Sequence, residues 1–456
     1  MTILLKNGKI YDGTGNKPYI GSILIVQDRI VSIGKVIEED SADQVYDLKG
    51  LSVSSGFIDA HSHNDWYAIK KNPLPYFEPF IRQGITTFIT GNCGVSSTGF
   101  EPESPYIEKL GGGLFSFLNT TGEYGTLEEF FDAIDQNNPC NIASLVGHCS
   151  VRAGIVGISD RPLTESEEEY MLSILEKALM QGACGISLGL MYEPGLYADT
   201  KELKKVANLC LKYDRPLTVH PRANSAVSMA YPELLGRSHL LRALDEIVEI
   251  ANGTKLKLQY SHAIFVGRRS FRDKEEFLSI IHQLRNAGVE AGFDIYHEVK
   301  GVSVITVILP TWYQSMDRKE RKKAINKLKL WLLCNATSKL LGFGFKDIEI
   351  AYIANDCREF EGKTVHQIAQ ELHKSDLDTY LYLCEKSDFK GRVNMGPYST
   401  PEIISELSKD DSCIYMTDAW VEDNGVQNPS TYDCYPKFLR ASLLGTGTSM
   451  ERTIRK

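Results

Sequence analysis

Five histidines carry the first chemical signal in this chain: His61, His63, His148, His220 and His262. Each closes or directly follows a short apolar run, within Asp59-Ala60-His61-Ser62-His63-Asn64-Asp65, Gly147-His148, Val219-His220 and Ser261-His262. Imidazole is the commonest metal ligand among side chains and carries protons near neutral pH. Alternate residues of an extended segment project to one side, so His61 and His63 can reach one divalent ion together. A lone histidine in such a place is more often hydrogen-bonded to backbone than bound to metal, but five at the ends of successive runs point to a shared site. Cys93, between Asn92 and Gly94 after the second run, adds a thiol at the same kind of position, and Asp418 adds a carboxylate after the last run. Nitrogen and sulfur donors with a single carboxylate favour zinc. Asp418 is the natural general base: a carboxylate beside a metal-acidified water takes its proton as the water attacks a carbonyl, then returns it to the departing nitrogen. The competing roles are a helix N-cap for Asp418 and simple packing for Cys93, the role expected of Cys140, Cys210 and Cys384.

These groups need a scaffold that brings run ends together. From residue 51 onward, eight apolar runs (51–58, 85–90, 141–147, 183–188, 216–219, 256–261, 289–296 and 413–417) alternate with helical stretches. Thr126 with Glu129, and Thr164 with Glu167, have capping-box spacing at helix starts. Short buried strands separated by helices predict an α/β fold, here a (β/α)8 TIM-like barrel whose site lies at the C-terminal strand ends. The connection over about 297–412 is too long for a loop and contains helical stretches at 365–373 and 377–384, so an inserted subdomain before the eighth strand is expected. Residues 1–50 show period-two apolar residues broken by Asn7-Gly8, Gly13 to Asn16 and Gln27-Asp28-Arg29, the pattern of hairpins in a small β module. The expected division is therefore 1–50 and 51–456.

The 456 residues suit about three domains or one enlarged barrel. A net charge of −9 with no concentrated basic face argues against a nucleic-acid partner. The run 317–323 mixes both signs and reads as a solvated helix face. The start lacks the pattern of a secretory signal, and no segment approaches the roughly 20 apolar residues that span a bilayer. A cytoplasmic protein with ten reduced cysteines and no membrane partner is expected; nothing in the sequence fixes its oligomeric state.

Longer segments carry a family likeness: Gly56-Phe57-Ile58-Asp59-Ala60-His61-Ser62-His63, Gly91-Asn92-Cys93-Gly94, Gly147-His148-Cys149-Ser150-Val151-Arg152, the stretch 185–198 around Leu190-Met191-Tyr192-Glu193-Pro194-Gly195, His220-Pro221-Arg222, Ser261-His262, Asp294-Ile295-Tyr296 and Thr417-Asp418. In these the chain resembles the amidohydrolase superfamily and, within it, the N-acyl-D-amino-acid deacylase (D-aminoacylase) family, in order over nearly its whole length. The resemblance implies a tight zinc site on Cys93, His220 and His262, a second, weaker position on His61 and His63, and Asp418 as catalytic acid/base. It assigns substrate contacts to His148, Tyr192, Arg222, Tyr296 and Glu298. It also implies a β-sandwich built from the N-terminal strands and strands after the last barrel helix. The chain stops within what reads as that helix, so the second half of the sandwich is expected to be missing, leaving an apolar edge between Ile3 and Ile33.

Three positions depart from the family pattern. Ile264 stands where relatives hold a substrate carboxylate with lysine, Asn428-Pro429-Ser430 replaces a His-Pro-Arg segment, and Tyr296-His297-Glu298 replaces Tyr-Pro-Tyr. A carboxylate substrate would forfeit about 1.5–3 kcal/mol for each buried charge-assisted hydrogen bond that these changes remove. Nearby Arg268, Arg269 or Lys300 could compensate. The expected activity is zinc-dependent hydrolysis of the C–N amide bond of an N-acyl (D-)amino acid or related small amide. The alternatives are a cyclic-amide or N-carbamoyl hydrolase of the hydantoinase kind and a non-catalytic ligand-binding relative.

Overall fold

Period-two alternation in the first fifty residues folds as a sheet. Strands β1 (Thr2–Ile10), β2 (Tyr19–Val26), β3 (Arg29–Gly34) and β4 (Gln44–Asp47) lie in the order β3-β2-β1-β4, and β5 (Ser52–Val53) also pairs with β1. Gln27-Asp28 closes the β2–β3 hairpin with Gln27 at φ 57°. Asn7-Gly8, expected as a turn, is instead a bulge inside β1: the register shifts between Leu5 and Gly8, and Asn7 takes φ 58°. Both flanks keep partners on β2 (Leu5 opposite Ile23, Gly8 opposite Gly21), so the ladder continues past the extra residues. Leu4, Ile10 and Ile23 are buried, whereas Ile30, Val31 and Ile33 of β3 are exposed.

The computed structural model describes residues 1–38, 42–100, 104–106, 125–228, 230–231, 233, 236–314 and 316–456. Its compact units are Met1–Phe57 with Tyr435–Lys456, and Ile58–Cys434. The boundary expected at residue 50 lies inside the first unit, because Ser52 pairs with Lys9 and Val53 with Ile10. The expected first run at 51–58 is thus divided, and only β6 (Phe57–Asp59) precedes His61 as a strand.

The second unit is mixed α/β. Its parallel strands are β6, β7 (Ile85–Thr90), β8 (Asn141–Ser144) continued by β9 (Val146–Gly147), β10 (Ile186–Gly189), β11 (Leu217–His220), β12 (Lys257–Tyr260), β13 (Glu290–Ile295) and, after the inserted β14 (Gly301–Val304), β15 (Ile348–Tyr352) and β16 (Arg392–Met395), β17 (Cys413–Tyr415). Parallel ladders join β7 to β8, β9 to β10, and then β10 through β13 to β17. Ser62 N–H donates to Ile89 O, and Ala60 N–H to Tyr415 O, so the β6 segment is bonded to β7 on one side and β17 on the other. Residues of β10 and β11 are buried throughout, as strands covered on both faces require.

Helices between the strands include ones with a single apolar stripe. Thr200–Lys212 buries Leu203, Val206, Ala207 and Cys210, at three- and four-residue spacing. Both expected capping boxes form, Thr126 with Glu129 and Thr164 with Glu167. The connection before β17 contains an antiparallel sheet in the order β14-β16-β15 and the expected helices, at Val365–Glu371 and Asp376–Lys386. The charged run forms one helical turn, Arg318–Arg321, capped by Asp317 and burying nothing. Among the described residues no helix is long and apolar enough to cross a membrane.

The Thr164 hydroxyl satisfies the Glu167 N–H at the start of Glu165–Met180. Thr164→Ala should lower the unfolding free energy by about 1 kcal/mol in urea denaturation, and an effect below about 0.3 kcal/mol would show that this cap contributes nothing.

Candidate metal centre

Strand ends bring the sulfur and the imidazoles together. The Cys93 Sγ lies 3.3 Å from His61 Nε2, 3.4 Å from His220 Nδ1 and 3.5 Å from His262 Nε2. Asp418 Oδ1 stands 3.7 Å from Nε2 of both His61 and His63. The four histidines and Cys93 are buried, whereas the Asp418 side chain keeps 21% of its surface exposed. Ligand atoms of His61, Cys93 and His262 lie within 4.8 Å of one another, and so do those of His61, His63 and Asp418. His61 belongs to both groups, whereas the resemblance placed it with His63 alone.

These separations test the fit to zinc. Tetrahedral zinc with a sulfur at about 2.3 Å and nitrogens at about 2.05 Å spaces sulfur from nitrogen by about 3.6 Å. A thiol donates one hydrogen bond, so it cannot satisfy three nitrogens at this range. Burial and neighbouring imidazoles hold His63 and His220 well below the usual range, and burial lowers His262 as well, keeping them in the neutral form that binds metal. Burial also pushes the Cys93 thiol up to about 11; a nearby dication reverses that direction. The residues fit.

The chain reaches this geometry through unusual backbone. Cys93, His262 and Asp418 sit at φ 55°, 37° and 46°, a left-handed region that non-glycine residues occupy at a cost. Ser187 on β10 pins both ends of the Cys93 loop: its Oγ donates to Gly91 O at 2.5 Å and accepts from Gly94 N–H at 3.0 Å. The loop lies against glycine, since a methyl group at Gly189 would fall 1.9 Å from the Cys93 carbonyl oxygen. Asp294 accepts the His262 N–H at 2.5 Å through one oxygen and places the other 3.7 Å from His61 Nδ1. Asp59 accepts the Thr417 N–H at 2.9 Å, the Thr417 hydroxyl at 2.5 Å and the His61 N–H at 3.3 Å, tying the two neighbours of the first strand end together. Burial raises the Asp59 carboxyl to about 7 against these hydrogen bonds. Sequence reasoning assigned no role to Asp59, Ser187 or Asp294; the available signal was a charged or hydroxyl side chain inside an apolar strand, a costly placement without partners.

The five residues expected to contact substrate divide. Tyr192 packs on His220 with ring centroids 4.6 Å apart. The Tyr296 phenol is buried without a hydrogen-bond partner, and Glu298, half-buried, acts on it electrostatically. Burial and the charge of Asp418 hold both phenols well above the usual range, joined for Tyr192 by Cys93. Tyr398, not anticipated, is raised by the same two effects. Arg222 and His148 are engaged elsewhere. The Arg222 guanidinium binds Glu246 at 2.8 and 2.9 Å and the carbonyls of Leu196 and Ala198. His148 Nε2 lies 2.7 Å from Glu202 Oε1, which Arg152 Nε approaches at 3.3 Å.

Comparison with known proteins agrees with this architecture. The Amidohydrolase family model matches residues 44–212. A D-aminoacylase of Alcaligenes xylosoxydans xylosoxydans is 30% identical over 307 residues, covering 66% of this chain and 58% of that protein. An N-acyl-D-glutamate deacylase of the same organism is 28% identical over 318 residues, covering 70% of this chain and 60% of that protein. The chain thus aligns with less than two thirds of the length of these curated relatives. Among solved structures, D-aminoacylase superposes with TM-score 0.77 at 22% identity, over 99% of this chain and 83% of that one. The N-acyl-D-glutamate deacylase of Bordetella bronchiseptica, complexed with zinc and a phosphonate inhibitor, gives TM-score 0.77 at 23% identity with the same coverage. Over residues 44–212 the chain is thus similar to the amidohydrolase family, and over about two thirds of its length to a D-aminoacylase and an N-acyl-D-glutamate deacylase.

Burial opposes the charge on His148, but Cys149 and Glu202 outweigh it and raise the imidazole from 6.5 to about 9. A folded-state value above the unfolded one contributes stability that is complete below the unfolded value and lost as pH rises through the folded one. Stability should therefore decline between pH 6.5 and about 9, and His148→Gln should flatten that part of the denaturation profile. An unchanged slope in the variant would exclude His148 as its source.

Proposed function

We propose that the chain is a zinc-dependent amidohydrolase, built on a closed (β/α)8 barrel, that cleaves the C–N amide bond of a small N-acyl compound. The reading rests on one observation above the rest: a buried thiol within 3.5 Å of three imidazoles, beside a partly exposed carboxylate. Closure of the barrel is supported by the hydrogen bonds from the β6 segment to both β7 and β17. Cys93, His61, His220 and His262 would hold the tighter metal, and His61, His63 and Asp418 define a second position. Zinc, when bound, supplies Lewis-acid polarisation of the substrate carbonyl and acidifies a water.

The chain's own residues do the rest. The Asp418 carboxylate accepts a proton from water as the C–O bond forms, then delivers it to nitrogen as the C–N bond breaks, giving a carboxylic acid and an amine. Its partial exposure gives that proton access to substrate. Asp294 faces His61 Nδ1 at 3.7 Å, the place that partners of metal-binding histidines take, and holds the His262 backbone through its N–H. The unsatisfied Tyr296 phenol is a donor available to substrate, and Tyr192 backs His220.

Purified protein should carry about one tightly held zinc by metal analysis, and Cys93→Ser should lose most of it. Asp418→Asn should keep the metal and lose activity on N-acyl substrates by about 10²–10⁴-fold. A metal-free protein, or full activity in Asp418→Asn, would defeat the proposal. Ser187→Ala should weaken metal affinity by about 10–100-fold in a chelator competition, as loss of a residue that orients a ligand does.

A further inference from the structure

Resting on the hydrolase reading above, the geometry points to a substrate class: N-acylated amines whose amine half bears no carboxylate, with an apolar or cationic body. The first support is the aromatic surround of Asp418. Its charge reaches the phenols of Tyr192, Tyr296 and Tyr398. The Tyr296 oxygen and the Tyr398 ring meet over Gly301, where an added methyl would lie 3.1 Å from one and 2.7 Å from the other. Trp420 closes on His63 edge to face, with centroids 5.6 Å apart. Aromatic faces favour apolar groups and cations; a carboxylate needs a desolvated cation or converging donors.

The second support is the state of the cations. Arg152, Arg222, Arg268 and Lys300 stand in the segments that follow the third, fifth, sixth and seventh strands, and each is neutralised. Arg152 faces Glu202 at 3.3 Å, Arg222 faces Glu246 at 2.8 Å, Arg268 faces Asp347 at 2.9 Å and Lys300 faces Glu349 at 2.8 Å. Arg269, beside Arg268, is exposed. Arg268 and Lys300, two of the three residues able to compensate for Ile264 and Ser430, have their charge committed to the inserted subdomain, and Arg269 is the third. Ile264, two residues after His262, is a half-buried aliphatic side chain, and the Ser430 hydroxyl is buried without a partner. These four cations are therefore already engaged by carboxylates, while the charge of Asp418 acts on the Tyr296 phenol.

The test compares two ligands differing only in that charge, N-acetyl-D-phenylalanine and N-acetyl-D-phenylalaninamide, binding by calorimetry to zinc-loaded Asp418→Glu protein, which keeps the carboxylate charge and displaces the base. The amide should bind at least about tenfold more tightly than the acid, and adding Ile264→Lys should shift the ratio toward the acid by at least about tenfold. Equal or tighter binding of the acid, or binding of neither, overturns the inference. If the amide binds selectively but unmutated protein hydrolyses neither compound, the hydrolase reading fails and the charge preference stands.

Discussion

One sulfur atom and three imidazole nitrogens share a buried space in which each approach is 3.3–3.5 Å. Without a cation this is a poor arrangement: burial keeps the thiol protonated, lowers three of the four surrounding histidines, and leaves one thiol hydrogen facing three nitrogens. A divalent ion turns each of these costs into a bond. The strained backbone at Cys93, His262 and Asp418 has the same logic, because strain persists where the surroundings over-determine it and a function uses the result.

Much of the second unit can be read as support for that arrangement. Parallel strands are followed by the chemical groups: His61 and His63 after the first, Cys93 after the second, His220 at the end of the fifth, His262 after the sixth and Asp418 after the last. Ser187 pins both ends of the Cys93 loop, Asp294 bonds the His262 backbone and faces His61, and Asp59 ties Thr417 to His61. Around the centre, positive charge is consumed by structure: Arg222 fixes the segment carrying Leu196 and Ala198, and Arg152 with His148 shares Glu202. What remains for a ligand is aromatic surface and carboxylate.

Legibility in the sequence followed the strength of local signals. Seven of the eight expected parallel runs contain a strand close to its expected place, because short apolar runs between amphipathic stretches leave few other readings. The first run failed at its start, since Ser52–Val53 has the same β character whichever sheet it joins, and only pairing with β1 decides. Asn7-Gly8 carries a turn signature that a bulge satisfies equally well. The candidate metal ligands were visible because His61, His63, Cys93, His220, His262 and Asp418 all follow runs. Arg222 and His148 were misleading for a physical reason: their carboxylate partners, Glu246 and Glu202, lie on helices 24 and 54 residues away, a separation that sequence spacing does not reveal.

The central claim is that Cys93 and its surrounding imidazoles bind one metal together. X-ray absorption at the zinc edge of the loaded protein tests it directly. The account requires one sulfur at about 2.3 Å and two or three nitrogens at about 2.0–2.1 Å, with the sulfur shell gone in Cys93→Ser. A first shell of oxygen and nitrogen alone in the unmutated protein would contradict it.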